Sequence, residues 1–288
     1  MTPALRGAIL GFGAVAEHGH LPGWQTDPRF TIVAVAEPQP ARRAQASRLL
    51  PTARICASVA EALATNGLDF VDIASPPAFH AETIVAAARA GLHVLCEKPL
   101  VTTSAEYMPV RAAVTAAGVV LHPVHNWKQA DAFRELKVLA ANGIGRLREL
   151  EFLIERDGWS VSAGDWRAVR RLGGGGILVD HGWHAFYLAL ALTDATPQAV
   201  RAGVENRRYR DTDVEDTAHC EFEFGDCRVA IDLTWAGRER RSTWTLRGSG
   251  GEVEIRDATL RTVHGDGAQI RELGTSLSAG SHHPDWFP

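Results

Sequence analysis

The chain has 288 residues, of which 45% are hydrophobic and 22% are charged, and its formal net charge is −4. This composition is typical of an ordinary globular protein, and the length favours two domains. The mildly acidic balance gives no reason to expect nucleic acid or a membrane surface as a partner.

Apolar strand-like runs alternate with helical segments through the first half of the chain, which is the pattern of repeated βαβ units. We therefore predict an α/β fold with a doubly wound parallel sheet, a Rossmann domain covering residues 1–124. The predicted strands are Ala8–Gly11, Thr31–Ala36, Phe70–Ala74, His93–Cys96 and Val119–His122.

The pattern changes in the second half, residues 125–288, where we predict an α+β domain with a largely antiparallel open sheet. A helix is predicted over Gln129–Asn142, closed by Gly143. A second helix is expected from about His181 to Leu192. The predicted strands are Leu147–Ile154, Val200–Val204, Ala218–Phe224, Cys227–Thr234, Ser242–Leu246 and Glu252–Ile255.

A glycine-rich turn follows the first predicted strand. The run Gly11–Ala16 fits G-x-G-x-x-G/A, whose glycines permit a tight turn and let a pyrophosphate approach a helix N-terminus. Glu37 ends the second strand, where an acidic residue accepts hydrogen bonds from the adenosine ribose. The pattern predicts a dinucleotide cofactor. Glu37 favours NAD because it would repel a 2′-phosphate, although Arg42 and Arg43 leave NADP possible.

Lys98 directly follows a predicted buried strand, in the run Glu97-Lys98-Pro99. In an open parallel sheet, ligands bind beyond the carboxyl ends of the strands, so Lys98 is expected at the lip of that crevice. A single lysine at such a point is more often a solvated surface residue. Its interpretation therefore depends on the rest of the sequence.

A second unusual stretch is the glycine run at residues 173–176, which leads to Asp180 and His184. On a helix beginning near Asp180, these two residues lie at i and i+4 on one face. The pair can share a substrate hydroxyl, or the carboxylate can orient the imidazole. A structural alternative makes Asp180 a helix N-cap and His184 a half-buried core residue.

Cysteine and histidine spacing gives no metal motif. The four cysteines form no C-x-x-C pair, and no Cys/His cluster has the spacing of a metal site. We therefore expect no metal, and reduced thiols in a cytoplasmic protein.

Taken together, these motifs resemble the Gfo/Idh/MocA family of NAD(P)-dependent oxidoreductases. The combination of Glu97-Lys98-Pro99 at a strand end with Asp180 and His184 after a glycine run is more specific than either motif alone. The resemblance implies a homodimer or homotetramer built through the C-terminal sheet. It also implies that Lys98, Asp180 and His184 are the catalytic residues.

The same resemblance implies binding residues. Cofactor contacts are implied for Gly11, Phe12, Gly13, Ala14, Val15, Ala16, Glu37, Ser75, Pro76, His80, Glu97, Lys98 and Asn126. Substrate contacts are implied for Lys98, Trp127, Trp166, Arg167, Asp180 and His184.

The sequence departs from the family pattern at two points near these residues. Tyr187 stands where many members have an Asp, three residues after the histidine. The run Asn126-Trp127-Lys128 lies where an aromatic residue followed by Arg is frequent. The chain also stops at Asp285-Trp286-Phe287-Pro288, before the terminal helix and strand that members usually have, so the tail is either lost or compact.

The expected function is hydride transfer between NAD(P) and a secondary alcohol or ketone carbon of a sugar, cyclitol or related polyol. His184 is expected to act as general base, and Lys98 to stabilise charge on the reacting oxygen. Lys98 could instead accept the proton, and the sequence leaves this open. A non-catalytic NAD(P)-binding sensor or scaffold and a metal-dependent hydrolase are the alternative classes.

Overall fold

The computed structural model describes residues 3–157, 165–279 and 283–287, and the chain divides into two units. The first unit runs to Val124 and takes in the C-terminal segment 283–287, which the sequence had assigned to the second domain. The second unit begins at His125. The C-terminal segment packs on the first unit through Phe287, whose ring centroid lies 4.5 Å from that of His20.

The first unit contains a six-stranded parallel sheet with the strand order β3-β2-β1-β4-β5-β6. This is the doubly wound order of a dinucleotide-binding fold, and it confirms the predicted fold class. The strands are β1 Leu5–Leu10, β2 Phe30–Ala36, β3 Arg54–Cys56, β4 Phe70–Ile73, β5 His93–Cys96 and β6 Leu121–Pro123. Only the three-residue β3 has no counterpart among the predicted strands.

Helices cover both faces of this sheet. Because successive side chains of a strand point to opposite faces, Ala8 and Leu10 join one buried apolar cluster while Ile9 joins another. A π-helical turn, Ala16–His20, leads directly into the first α-helix. The helices are α1 Leu21–Thr26, α2 Pro40–Leu49, α3 Val59–Leu63, α4 His80–Arg89 and α5 Ser104–Ala117.

The second unit contains an eight-stranded sheet with the order β14-β13-β12-β11-β7-β10-β9-β8. All neighbours pair antiparallel except β7 and β10, so the sheet is largely antiparallel, as predicted. The strands are β7 Leu147–Asp157, β8 Ala199–Glu205, β9 Thr217–Phe224, β10 Cys227–Thr234, β11 Ala236–Gly248, β12 Glu252–Arg256, β13 Thr259–His264 and β14 Gly267–Glu272. The last two strands were not predicted.

One face of this second sheet is apolar and the other is charged. Along β7, Leu150, Phe152 and Ile154 are buried on one face, and Glu149, Glu151, Leu153 and Glu155 lie on the other. On the charged face, Arg247 forms ion pairs of 2.7–2.8 Å with Glu149, Glu151 and Glu252. The remaining helices are α6 Asp131–Asn142, α7 Arg170–Gly173, α8 Ile177–Asp180 and α9 Gly182–Thr193.

The helix predicted from about His181 to Leu192 corresponds to α9, and a separate short helix, α8, precedes it. Asp180 ends α8, and His184 lies in α9. The start of α8 is fixed by a contact distant in sequence. The Glu215 carboxylate accepts hydrogen bonds from the backbone N–H groups of Gly176 and Leu178, at 2.8 and 3.2 Å. A Cβ atom at Gly176 would lie 1.8 Å from the Glu215 carbonyl oxygen, so the glycine permits this close approach.

Within the described ranges, no helix combines the length and the apolar character needed to cross a membrane.

Candidate active site

The glycine turn after β1 lies against the end of β4. Gly11 has φ +96°, and a Cβ atom at this residue would lie 2.7 Å from the Ser75 backbone nitrogen. Any other residue would therefore be strained and would clash. At Gly13 the space is open, since the nearest atom to a Cβ would be Arg42 Nη1 at 3.9 Å. The turn thus presents bare backbone to one side, which fits the close approach of a pyrophosphate.

Glu37, at the end of β2, is 5% exposed and its carboxylate is fixed by backbone donors. One oxygen accepts from the Phe12 N–H and the other from the Gln39 N–H, both at 2.8 Å. Each carboxylate oxygen has a second lone pair that can accept from a ribose hydroxyl. The guanidinium of Arg43 donates to the carbonyl oxygens of Glu37 and Pro38. These groups fit the adenosine end of NAD.

Lys98 is presented just beyond β5, between two restrained residues. Glu97 Oε2 accepts a hydrogen bond from the Lys98 backbone N–H at 2.9 Å. On the other side, the buried His80 ring lies 2.8 Å from the Pro99 carbonyl oxygen and 2.8 Å from the Ser75 carbonyl oxygen. Burial lowers the pKa of His80, although these two carbonyls oppose the effect. The Lys98 side chain itself is half-buried.

Beneath this segment lies a buried ionic contact that the sequence did not predict. The Nδ1 atom of His20 is 2.9 Å from both carboxylate oxygens of Asp72, and its Nε2 atom is 3.0 Å from Glu97 Oε1. We call these three residues, Asp72, His20 and Glu97, the His20 bridge. The Trp24 indole N–H donates to the same Asp72 carboxylate at 2.7 Å.

His20 is a cation in this environment. Both ring nitrogens face carboxylates, and only the imidazolium can donate from both. Burial by itself would lower the pKa of His20, but the Asp72 and Glu97 carboxylates outweigh it and raise the pKa to about 10. Burial would likewise raise the pKa of Glu97, yet its hydrogen bond from His20 holds that pKa below the usual value.

The sequence did contain one signal for this contact. Asp72 lies inside the apolar strand β4 and is fully buried. A carboxylate in that position must be paired, because an isolated buried charge is very costly. The identity of its partner, 52 residues away along the chain, could not be deduced from spacing.

In the second unit, His184 lies on α9 and is 7% exposed. Its Nδ1 atom is 2.6 Å from the hydroxyl of Tyr187, which also accepts the Trp127 backbone N–H at 3.1 Å. The Trp127 indole stacks on the His184 ring, with centroids 4.4 Å apart and planes inclined by 14°. Tyr187, noted above as a departure from the family pattern, therefore contacts the candidate general base directly.

Asp180 lies in a second group of predicted residues in the same unit. Its carboxylate is 3.3 Å from His181 Nδ1 and 3.8 Å from Arg167 Nε. The Arg167 guanidinium lies over the Trp166 ring, 4.2 Å from its centroid. Burial lowers the pKa of the neighbouring Arg156 to about 10, and the Asp180 charge opposes this effect.

The predicted residues thus fall into one group in the first unit and two in the second. The first group, at the carboxyl ends of β1, β2, β4 and β5, comprises Gly11–Ala16, Glu37, Ser75, Pro76, His80, Glu97 and Lys98. In the second unit, Trp127 joins His184, whereas Trp166 and Arg167 join Asp180. Asn126 begins the 3-10 turn Asn126–Gln129 and is half-buried. Among the described residues, no group of three or more His, Cys, Asp or Glu side chains is arranged to hold a metal ion.

Comparison with known families gives a match to each half of the chain. Residues 5–125 match the model described as "Oxidoreductase family, NAD-binding Rossmann fold", and residues 133–254 match the "GFO/IDH/MocA C-terminal domain". The chain belongs to the Gfo/Idh/MocA oxidoreductase family. It is therefore an oxidoreductase with an NAD-binding Rossmann domain, as the motifs predicted.

Named relatives of this oxidoreductase act in sugar chemistry. An oxidoreductase subunit provisionally named for UDP-kanosamine synthase, from Amycolatopsis mediterranei (strain S699), is 28% identical over 88% of this chain and 75% of its own length. The 1,5-anhydro-D-fructose reductase of Ensifer adhaerens is 34% identical, but the match covers 50% of this chain and 43% of the reductase. The chain thus matches less than half of that enzyme.

A solved structure is also similar to this chain in its fold. GenD2 from gentamicin A biosynthesis, crystallised in complex with NAD, is 28% identical to this chain and superposes with a TM-score of 0.83. The alignment covers 90% of this chain and 74% of GenD2.

The His20 bridge predicts a specific pH dependence of stability. Because the pKa of His20 is raised on folding, its contribution is complete below the usual value of 6.5 and is lost as the pH rises through about 10. In a His20→Gln variant this contribution is absent. The difference in free energy of unfolding between wild type and variant, measured with urea, should therefore shrink over this range. A difference that stays constant with pH would contradict the ionised bridge.

Proposed function

We propose that this oxidoreductase transfers a hydride between NAD and a secondary alcohol or ketone carbon of a sugar, cyclitol or related polyol. The observation that carries the proposal is the presentation of Lys98 beyond β5, with both flanking residues held in place. The sugar chemistry named for the relatives supports this substrate class. The cofactor supplies the hydride acceptor or donor, and the protein supplies orientation and proton handling.

Lys98 acts on the reacting oxygen. Its ammonium group hydrogen-bonds that oxygen and stabilises the negative charge that develops on it during the reaction. A half-buried amine is suited to this, because an electrostatic contact is stronger where water is partly excluded.

His184 exchanges the hydroxyl proton. We infer that Nδ1 carries a proton and donates it to the Tyr187 hydroxyl oxygen, and that Nε2 accepts or returns the substrate proton. Stacking on Trp127 fixes the plane of the ring. Tyr187 orients the imidazole through a neutral hydroxyl, whereas a carboxylate at that position would add a negative charge beside it.

Asp180, Trp166 and Arg167 bind the substrate away from the reacting carbon. Trp166 offers an aromatic face on which a sugar ring can stack, and Asp180 and Arg167 offer an acceptor and a donor for hydroxyl groups. Such polar contacts select a polyol over an apolar alcohol, because a poorly matched substrate leaves them without partners.

Glu37 supports NAD as the preferred cofactor, since its fixed carboxylate would repel a 2′-phosphate. Assembly as a homodimer or homotetramer through the C-terminal sheet, and a cytoplasmic location, stay predictions. Sedimentation equilibrium measures the assembly directly.

Removing the Lys98 ammonium group or the His184 imidazole should lower turnover sharply without abolishing cofactor binding. Wild type, Lys98→Met and His184→Ala are assayed with NAD and NADP against a panel of aldoses, ketoses and cyclitols. We expect each variant to lose at least about a hundredfold in kcat, the usual range for a lost acid–base group.

The exposed residues Lys137 and His122 supply matched controls, Lys137→Met and His122→Ala, which should retain wild-type turnover. Near wild-type kcat in either active-site variant would show that its assigned role is wrong. A wild type that binds NAD but oxidises or reduces no member of the panel would favour the sensor or scaffold alternative.

The Tyr187→Phe variant tests the orientation of His184. It keeps the aromatic packing but loses the hydroxyl 2.6 Å from Nδ1. We expect kcat to fall about tenfold, within the range for a misoriented catalytic group. The limb of the pH–rate profile that His184→Ala abolishes should also be displaced. An unchanged profile would remove Tyr187 from the mechanism, and Tyr107→Phe, at an exposed tyrosine, is the matched control.

A further inference from the structure

We propose that the His20 imidazolium is a positioning residue for Lys98. It holds the Glu97 carboxylate, and that carboxylate in turn fixes the backbone from which Lys98 extends. The inference rests on the role proposed above for Lys98, but its central measurement does not depend on turnover.

Glu97 links His20 to the Lys98 backbone. Its two carboxylate oxygens have different partners, because Oε1 lies 3.0 Å from His20 Nε2 and Oε2 accepts the Lys98 N–H at 2.9 Å. The Glu97 side chain is 13% exposed, so water has little access to replace either partner. A movement of the carboxylate would therefore also move the Lys98 peptide.

His20 itself is held by contacts other than the one with Glu97. Its other nitrogen bonds to Asp72, which is fully buried inside β4 and is also held by the Trp24 indole. His20 ends the π-helical turn that follows the glycine loop. One ring thus connects the loop segment, the interior of β4 and the residue after β5.

A second buried histidine, His80, restrains the other side of Lys98. The His80 ring contacts the carbonyl oxygen of Pro99 and that of Ser75. His20 therefore contacts the side chain of Glu97, and His80 contacts the backbone of Pro99. Each residue that flanks Lys98 is thus held by a buried histidine. This arrangement restrains the lysine before any substrate binds, which is how supporting contacts keep a catalytic group in a productive position.

The positive charge of His20 contributes to holding Glu97, in addition to the position of its ring nitrogens. Two carboxylates share this buried space, and without a cation between them their repulsion and desolvation would be uncompensated. Glu97 would then turn towards solvent or take up a proton. In either case, the acceptor for the Lys98 N–H would change.

Two substitutions separate the two contacts of His20. The amide nitrogen of an asparagine can take the place of Nδ1, and that of a glutamine can take the place of Nε2. His20→Asn therefore keeps a donor towards Asp72 and loses the one towards Glu97, whereas His20→Gln does the reverse. Both variants lose the positive charge, so the difference between them isolates the contact with Glu97.

The readout is the environment of the lysine itself. The chain has only three lysines, Lys98, Lys128 and Lys137, so reductive methylation with ¹³C-formaldehyde gives a simple NMR spectrum. A Lys98→Arg variant assigns the Lys98 signal. We expect both substitutions to leave the signals of Lys128 and Lys137 in place, and His20→Asn to displace or broaden the Lys98 signal clearly more than His20→Gln does.

Turnover on a confirmed substrate gives a second readout. We expect kcat to fall about tenfold further in His20→Asn than in His20→Gln, with the Kd for NAD within about threefold of wild type in both. Equal effects of the two substitutions on the Lys98 signal, or an unmoved signal in His20→Asn, would overturn the proposal. Because the NMR measurement needs no substrate, a protein that is inactive on the whole panel still tests it.

Trp24→Phe is the matched control, since it removes a donor to Asp72 but leaves the contact between His20 and Glu97. It should leave the Lys98 signal unchanged. If neither His20 variant folds, the near-isosteric Glu97→Gln variant tests the same link. It should move the Lys98 signal, and an unmoved signal would again overturn the proposal.

Discussion

A cation held between two buried carboxylates is the interaction on which the first unit depends. Desolvating three charged groups is costly, and the arrangement is stable only because each charge has an oppositely charged neighbour with hydrogen-bond geometry. His20 meets that condition at both nitrogens, with distances of 2.9 and 3.0 Å. The contact joins segments that are 52 and 77 residues apart, so it connects the beginning of the fold with the segment that carries Lys98.

The parallel sheet explains why the candidate residues of the first unit lie together. All carboxyl ends of its strands point the same way, so the turn after β1, Glu37 after β2 and Lys98 after β5 meet at one edge. The strands are buried on both faces, which makes this edge the natural place for polar groups. Gly11 contributes by letting the first turn pass within contact distance of Ser75. Cofactor binding and lysine presentation therefore use the same structural feature.

Much of this could be predicted from the sequence, because it depends on local patterns. Consecutive apolar residues indicated the parallel strands, including the one that ends just before Lys98, and the glycine spacing indicated the nucleotide turn. Strands β3, β13 and β14 were missed. β3 has three residues, and every residue of β14 is exposed, so neither has a clear apolar pattern.

Contacts between residues that are distant along the chain could not be predicted from the sequence. No sequence pattern near His20 indicates that Asp72 or Glu97 is its partner. The start of α8 likewise depends on Glu215, whose carboxylate accepts hydrogen bonds from the backbone N–H groups of Gly176 and Leu178. Tyr187 was noticed as a departure three residues from His184, but its contact with that imidazole, at 2.6 Å, is visible only in the structure. Residue types and spacing indicated the candidate catalytic side chains. The groups that contact those side chains became visible only in the three-dimensional structure.

The proposed positioning of Lys98 depends on a positively charged His20, and ¹⁵N NMR of the histidine rings measures this protonation state directly. The His20→Gln variant assigns the His20 signals among those of the twelve histidines. At a pH between 6.5 and about 10, we expect both His20 ring nitrogens to carry a proton. A His20 ring with one unprotonated nitrogen in that range, titrating near the ordinary histidine pKa, would contradict the account.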